Sequence, residues 1–223
     1  MLQDSTGSTD GVFDYSGATG RAAQRRAGDR PMSRAICCIA AAALFAGRIS
    51  QAATPNDIVA QDLAHRSPEI HWPRDITPPA VASFSHNAIL VQASCEKVWQ
   101  VLVNAAAWPS WYPNSRNVRI ADASGFLSRG ASFDWDTFGV HIHSVVAEFE
   151  PPTRLAWFGD THNARSYHTW LLQPTKRTCN VITEEATKGP PAPRNGARDL
   201  GALHRAHDLW LDRLKVRAES AGN

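Results

Sequence analysis

The sequence of residues 83–220 predicts a single α+β domain, in which a curved antiparallel sheet of about seven strands surrounds a long C-terminal helix. Three observations support this architecture. Short segments with alternating apolar and polar residues follow one another through the middle of the chain, as in half-buried strands. The last segment instead repeats its apolar residues at helical spacing. One long helix can cover one face of such a sheet, and a wide curved sheet closed in this way tends to enclose a cavity.

The domain is predicted to begin with one strand and two short helices. Residues 83–91 form the strand, because an apolar run lies at their centre. Ser94 is a favourable N-cap residue, and the helix over residues 95–104 that follows it has a broad apolar face. A second short helix over residues 105–111 ends at a Tyr-Pro-Asn sequence, which is typical of a helix stop.

Six further strands and the final helix complete the domain. Phe133 and Trp135 lie on one face of their strand and Asp134 and Asp136 on the other, the pattern of a half-buried strand. The six strands are predicted over residues 117–121, 132–137, 140–150, 154–158, 167–172 and 180–186. The final helix occupies residues 195–220. Its apolar stripe contains Leu200, Leu203, His207, Trp210, Leu211, Leu214 and Ala218.

Residues 32–53 have the order of a secretory signal peptide. A basic start at Arg34 precedes an uncharged apolar run that ends at Ala46, and small residues then surround a cleavage point near Ala52 or Ala53. We therefore predict a periplasmic or secreted protein. The apolar run is shorter than the roughly 20 residues needed to cross a bilayer, so no stable membrane insertion is expected after cleavage.

Two other segments lie outside the predicted domain. Residues 1–31 form either a disordered extension or a start of the reading frame that is set too early, because they contain few apolar residues to pack. Residues 54–82 are predicted to be a proline-rich linker, in which residues 57–64 favour a short helix.

The distribution of charge argues against polyanionic partners. The formal net charge is +2, and residues 1–53 hold six of the 23 basic and four of the 21 acidic residues. The remainder therefore holds 17 of each and is neutral. A neutral domain offers no electrostatic footprint for nucleic acid or for an anionic membrane surface, so we predict neither as a partner.

A series of short motifs supports a more specific interpretation. In chain order they are Trp108-Pro109-Ser110-Trp111-Tyr112-Pro113, Phe133-Asp134-Trp135, Phe138-Gly139, Leu155-Ala156-Trp157, Tyr167-His168-Thr169-Trp170, Thr183-Glu184-Glu185 and His207-Asp208-Leu209-Trp210-Leu211. Together they resemble the polyketide cyclase/dehydrase branch of the START-like superfamily (SRPBCC, Bet v 1-like), over residues 83–220. This resemblance implies the helix-grip fold and a ligand cavity between the sheet and the long helix. It supplies no universal catalytic residue.

Aromatic and histidine side chains are the predicted lining of that cavity. The candidate ligand-binding residues are Trp111, Trp135, His141, Trp157, His168, Trp170 and Trp210. Tyr167 and Trp170 cannot both point inward, because side chains alternate along a strand, and we favour the face that Trp170 shares with His168. For any single tryptophan, ordinary core packing is an equally good interpretation.

The candidate catalytic residues are His141, His143 and Glu185. His141 and His143 lie on one strand face, and with His168 nearby three imidazoles could bind zinc. No cysteine or clustered carboxylate completes that set, so we predict no metal and no cofactor. Glu184 and Glu185 are adjacent, so one faces inward. An inward carboxylate either forms a salt bridge, with Arg154, Arg165 or a histidine as the partner, or accepts a proton through a raised pKa.

Signal cleavage would leave two cysteines, Cys95 and Cys179, and two interpretations remain open. They are either separate half-buried thiols or a disulfide formed in an oxidising compartment. In the fold that the resemblance implies, the first and last strands are antiparallel neighbours, which brings Cys95 close to Cys179. The resemblance therefore supports the hypothesis that they pair.

The sequence leaves three functional hypotheses. The first is an exported protein that binds or transports a small hydrophobic molecule, lipid-like or aromatic, in an internal cavity. The second is a polyketide cyclase/dehydrase-type enzyme that uses a cavity histidine or glutamate for proton transfer. The third is a chaperone-like domain whose apolar groove grips a partner helix, which would require a large exposed apolar patch.

Overall fold

The structure, a computed structural model, describes residues 54–81, 83–190, 199 and 201–220. The predicted extension and signal peptide, and residues 195–198 of the predicted last helix, lie outside the described residues. The helices are α1 (Pro55–His65), α2 (Cys95–Val103) and α3 (Ala202–Ser220), with 3-10 helices at Pro78–Ala80 and Ala105–Ser110. The strands are β1 (Ser83–Val91), β2 (Ser115–Ile120), β3 (Ser132–Thr137), β4 (Val140–Glu150), β5 (Arg154–Asp160), β6 (Arg165–Pro174) and β7 (Cys179–Lys188). No helix among the described residues is long and apolar enough to cross a membrane.

The seven strands form one antiparallel sheet in the order β1-β7-β6-β5-β4-β3-β2. The sheet is curved, and β-bulges in the β2–β3 and β4–β5 pairings add local bends. Helix α3 packs against β1 and α2, on the inner face of the sheet. This arrangement confirms the predicted α+β architecture. The second predicted short helix is a 3-10 helix, which contains Pro109 and therefore lacks one backbone donor.

Local sequence explains where these elements begin and turn. Ser94 accepts a hydrogen bond from the Lys97 backbone N–H and so caps α2. The β3–β4 hairpin turns through Phe138 and Gly139, whose φ angles are 53° and 79°. A two-residue turn with both φ angles positive matches the twist of the flanking strands. Phe138 is thereby held, 42% exposed, at one end of the sheet.

The main core lies between the inner face of the sheet, α2 and α3, and it is built around Trp108. The Trp108 ring is fully buried, lies within 6 Å of the rings of Trp135, Trp157 and Trp210, and donates its N–H to the Leu102 carbonyl at 2.9 Å. Edge-to-face packing of this kind adds to the free energy gained from burial alone. Six of the eight tryptophans of the chain are buried in this core, in agreement with the packing interpretation of these residues.

The segment that the sequence analysis treats as a linker packs on the outer face of the sheet. Ile76 is fully buried there, and the Trp72 ring lies 6.1 Å from Phe84 and 5.9 Å from Tyr167. Glu184 of β7 accepts a 2.6 Å hydrogen bond from a backbone N–H of the same segment. Residues 54–81 are therefore part of the packed structure. Proline prevents them from adding a strand, but their apolar side chains still cover apolar positions of the sheet.

A disulfide links Cys95, the first residue of α2, to Cys179, the first residue of β7. The β1–β7 register places Val91, at the end of β1, opposite Cys179, so that the chain enters α2 beside β7. Both cysteines are buried, and their Cα atoms are 4.9 Å apart. The structure thus contains the pairing that was hypothesised from the sequence, and not two separate thiols.

Candidate functional site

A cavity of about 630 Å³ lies between the inner face of the sheet and α3. Its deeper wall is formed by buried side chains of β3, β5, β6 and α3. At one end its lining consists of the β3–β4 turn at Phe138 and Gly139, the β5–β6 turn at residues 161–164, and Pro190. Several of these turn residues are exposed, so the cavity reaches the surface at this end of the sheet.

Three tryptophans form the apolar wall of the cavity. Trp135 comes from β3, Trp157 from β5 and Trp210 from α3, and each is at most 3% exposed. The Trp135 ring is held by a hydrogen bond from its N–H to the Ser144 hydroxyl at 3.2 Å. The Trp210 ring is held by stacking on Tyr112, with ring centroids 4.4 Å apart. These rings offer a rigid apolar surface to any molecule in the cavity.

Three ionisable side chains, His168, Glu185 and His207, meet at the same cavity, and we call them the His–Glu–His cluster. His168 and Glu185 are direct neighbours across the β6–β7 pairing, and α3 places His207 above them. The Glu185 Oε2 atom lies 3.5 Å from His168 Nδ1 and 3.2 Å from His207 Nε2. The two imidazole rings stack with centroids 4.5 Å apart. The Glu185 side chain is 16% exposed, and the histidines are almost fully buried.

Hydrogen bonds to hydroxyl groups hold the outer nitrogen of each histidine. His168 Nε2 lies 2.8 Å from the Thr183 hydroxyl, and that hydroxyl donates its proton to the Thr169 carbonyl at 2.9 Å. His168 Nε2 must therefore carry a proton and donate it, which leaves the inward Nδ1 of a neutral His168 with a bare lone pair. His207 Nδ1 lies 2.7 Å from the Ser85 hydroxyl, so its Nε2 is the inward atom.

Glu185 and His168 of the cluster differ in their protonation at neutral pH. Burial raises the pKa of Glu185, but the hydrogen bond from His207, together with the electrostatic effects of the two histidines, outweighs it and lowers the pKa to about 2. Burial, together with the charge of His207, lowers the pKa of His168 to about 3 against the opposing effect of Glu185. At neutral pH Glu185 is therefore ionised and His168 is neutral. The pKa of Glu185 is lowered and not raised, which favours the paired carboxylate over the proton acceptor, with His207 as the hydrogen-bond partner.

The structure brings together most of the predicted ligand-binding residues, but not all of them. Trp135, Trp157, His168 and Trp210 line the cavity. Trp170 faces inward as expected, 5.2 Å from the Trp210 ring, but it is buried in the core and does not reach the cavity. Trp111 lies half-buried in a separate surface groove, which is lined by residues of α2 and by Arg217.

The two histidines proposed as catalytic point away from the cavity. The imidazoles of His141 and His143 lie on the outer face of β4, where they pair with Asp136 at 2.8 Å and Asp134 at 2.9 Å. His141 reaches only the rim of the cavity, with a side chain that is 67% exposed. The three imidazoles considered for zinc therefore do not converge, since the strand register puts His141 and His143 on the face opposite to His168.

Sequence reasoning missed His207 and Ser85 as parts of the site. His207 was assigned to the apolar stripe of the last helix, and a histidine in such a stripe is a polar side chain that needs a buried partner. That mismatch was the available signal. Ser85 carried no signal, because a serine on an edge strand is unremarkable until the helix that it contacts is known.

Comparisons with known proteins place these features in context. The family model described as polyketide cyclase / dehydrase and lipid transport matches residues 84–219, more than half of the chain. The hypothetical protein jhp0584 from Helicobacter pylori is 28% identical, with a TM-score of 0.62 over 69% of this chain and 98% of that chain. The di-domain ARO/CYC StfQ from the steffimycin biosynthetic pathway is 16% identical, with a TM-score of 0.52 over 63% of this chain and 52% of that chain. At that identity the likeness shows the fold alone. Among curated proteins, none matches this chain.

Proposed function

Because the chain belongs to the polyketide cyclase/dehydrase and lipid transport family of the START-like superfamily, we propose that it binds a small hydrophobic molecule between its sheet and α3. The observation that carries the proposal is the cavity of about 630 Å³ with its tryptophan wall. Small-molecule sites usually have volumes of about 300–1,000 Å³, mostly apolar linings and a few convergent polar groups. The cavity has all three properties.

The cavity lining suggests the chemistry of the ligand. Trp135, Trp157 and Trp210 favour an apolar or aromatic body, since their rings provide flat contact surfaces. The His–Glu–His cluster is the strongest polar feature of the described lining, and it favours one polar group on the ligand at that position. A wholly apolar ligand would bury the ionised Glu185 without adding a partner for it, which is unfavourable. We therefore expect an amphipathic molecule with a single polar end.

Two features support action outside the cytoplasm, as part of the same proposal. Residues 32–53 have the order of a signal peptide. The Cys95–Cys179 disulfide is a bond that persists in oxidising compartments and is rare in reducing ones. An exported hydrophobic-ligand binder with a buried disulfide is consistent with both.

Catalysis of the cyclase/dehydrase type has weaker support from the site. Of the three proposed catalytic residues, His143 lies on the outer face, and His141 reaches only the rim of the cavity, with its imidazole paired to Asp136 on the outer face. The third, Glu185, faces the cavity, but a carboxylate with a pKa of about 2 is a poor proton acceptor at neutral pH. Binding is therefore the function that the geometry favours.

Native mass spectrometry of the protein purified from its own cells tests the proposal. We expect an additional discrete mass that is released on denaturation and is identified as an apolar or amphipathic molecule. The same spectrum gives the first residue of the mature chain, and a start near residue 54 is expected if the signal peptide is cleaved. A mature chain that starts before residue 54 and retains the apolar run would contradict cleavage of that signal.

A cavity-filling variant provides the matched test. Ala206 lines the cavity from α3, so Ala206→Phe should remove the bound mass and abolish the fluorescence enhancement of 1-anilinonaphthalene-8-sulfonate, an aromatic probe with one anionic end. Val216 lies on the same helix with its side chain 60% exposed, and Val216→Phe should leave both unchanged. A wild-type protein that carries no ligand and binds the probe no better than Ala206→Phe would refute the proposal.

A further inference from the structure

Three potential metal ligands in the cavity face one another across a short gap. The atoms are His168 Nδ1, Glu185 Oε2 and His207 Nε2, and all three lie within 4.8 Å of one another. This is a different set from the imidazoles considered in the sequence analysis, because it takes one histidine from β6, one from α3 and a carboxylate from β7. Two imidazoles and one carboxylate are a common ligand set for zinc and for other first-row divalent metals.

The separations from Glu185 to the two histidines match those around a single metal ion. With metal–ligand bonds of about 2.0–2.2 Å, two ligand atoms in a tetrahedral or octahedral site are about 2.8–3.6 Å apart. Glu185 Oε2 is 3.2 Å from His207 Nε2 and 3.5 Å from His168 Nδ1. Both distances fall within that range, and the two imidazole nitrogens lie within 4.8 Å of each other, so small side-chain movements bring all three atoms to one ion.

The hydrogen-bond network leaves a place for a cation at this point. His168 Nε2 must donate to Thr183, whose own proton goes to the Thr169 carbonyl, so the inward Nδ1 presents a lone pair to the Glu185 carboxylate. A lone pair and a carboxylate oxygen facing each other at 3.5 Å repel. A metal ion between them would convert that repulsion into two coordinate bonds.

The surroundings of the three ligands are those of a metal site. Metal-bound histidines almost always have the second ring nitrogen held by a hydrogen bond, which fixes the orientation of the ring. Here Thr183 holds His168 at 2.8 Å and Ser85 holds His207 at 2.7 Å. All three ligand residues also line the cavity, so any remaining coordination position would be open to water or to a molecule in the cavity.

The geometry points to a divalent metal site, with Zn²⁺ as the ion, formed by His168 Nδ1, Glu185 Oε2 and His207 Nε2. The site goes beyond the proposed binding of a hydrophobic molecule and does not depend on it. With three protein ligands and an open position, it belongs to the class of sites that bind an oxygen atom of a second molecule.

Metal content and affinity measured on the full chain test the inference. Protein stripped with a chelator and dialysed against Zn²⁺ should retain one ion per chain, measured by inductively coupled plasma mass spectrometry. Glu185→Gln keeps the size of the side chain but removes the charge, and it should raise the zinc dissociation constant by more than about 100-fold. His141→Gln with His143→Gln removes two exposed histidines from the outer face and should leave the affinity unchanged.

A second measurement on the wild-type protein covers the case in which Glu185→Gln fails to fold. X-ray absorption at the zinc edge should show a first shell of nitrogen and oxygen with the outer-shell scattering of two imidazoles. A shell that contains sulfur, a shell of oxygen alone, or the absence of stoichiometric zinc would overturn the inference. Loss of zinc in the outer-face variant, with retention in Glu185→Gln, would overturn it as well.

Discussion

Reduction of the Cys95–Cys179 disulfide should lower the free energy of unfolding by several kcal/mol. The bond joins α2 to β7 across 84 residues of sequence, a segment that contains β2 to β6, five of the seven strands. In the chain-entropy model, closing a loop of that length removes about 4.6 kcal/mol of conformational freedom from the unfolded state at 25 °C. Measured values are usually lower, about 2–4 kcal/mol, because unfolded chains retain some structure.

The assay compares the same chain with and without the bond, so that no side chain is deleted from the core. A Cys37→Ser/Cys38→Ser variant leaves only Cys95 and Cys179 of the four cysteines. Its unfolding in guanidinium chloride is measured oxidised and after reduction, and linear extrapolation gives the two free energies of unfolding. We expect a difference of about 2–4 kcal/mol.

Two results would refute this reasoning. A difference of less than about 1 kcal/mol would show that the cross-link does not restrict the unfolded chain as the loop length requires. Two titratable thiols in the oxidised, denatured variant would show that the bond does not form. Either result would also weaken the support that the disulfide gives to an exported protein.

Three further predictions concern the outer face of the sheet. Ile76→Ala should lower the free energy of unfolding by about 2–5 kcal/mol, because the Ile76 side chain is fully buried against the sheet. Val216→Ala, at an exposed position, should change it by less than about 0.5 kcal/mol. Equal effects of the two substitutions in denaturant unfolding would mean that residues 54–81 do not pack on the sheet. Burial raises the pKa of Tyr167 to about 12 from its usual 10, so the unfolded chain ionises first and stability falls between pH 10 and pH 12, by up to about 2.7 kcal/mol. Tyr167→Phe should lose less stability over that interval, and identical pH profiles would contradict the assignment. Glu184→Ala removes a fully buried carboxylate that accepts two hydrogen bonds of 2.6 Å, and it should lower the free energy of unfolding by about 1–3 kcal/mol. The effect is measured by thermal unfolding against an exposed control, Glu150→Ala, and a smaller effect than in the control would show that water replaces the carboxylate.

Local sequence was sufficient to predict the elements of the fold. The alternation around Phe133 and Trp135 reports a strand with one buried face, and the spacing of apolar residues up to Ala218 reports a helix with one buried stripe. Such periodicities are properties of short segments and do not depend on how the rest of the chain folds. The order of the strands and the cover over the outer face were not predictable in the same way. Residues 54–81 have the composition of a linker, and only the presence of the sheet gives Ile76 and Trp72 a surface to pack against.

The sequence predicted the candidate site only in part, because the pattern within one strand does not determine its register with the neighbouring strands. The alternation of side chains established that one of two adjacent glutamates faces inward, and it favoured the face of His168 and Trp170. It could not decide which glutamate, because a shift of one residue in register exchanges the two faces.

The sequence by itself determined the fold class, the inward face of β6 and the aromatic character of the cavity, because each of these depends on residue type and short-range periodicity. Only the tertiary structure decided that Glu185 and not Glu184 enters the cavity, that His141 and His143 lie outside it, and that His207 completes the cluster. Those outcomes depend on the register between strands and on the position of α3 over the sheet. They are set by packing between segments that are distant in the chain, which no local pattern encodes.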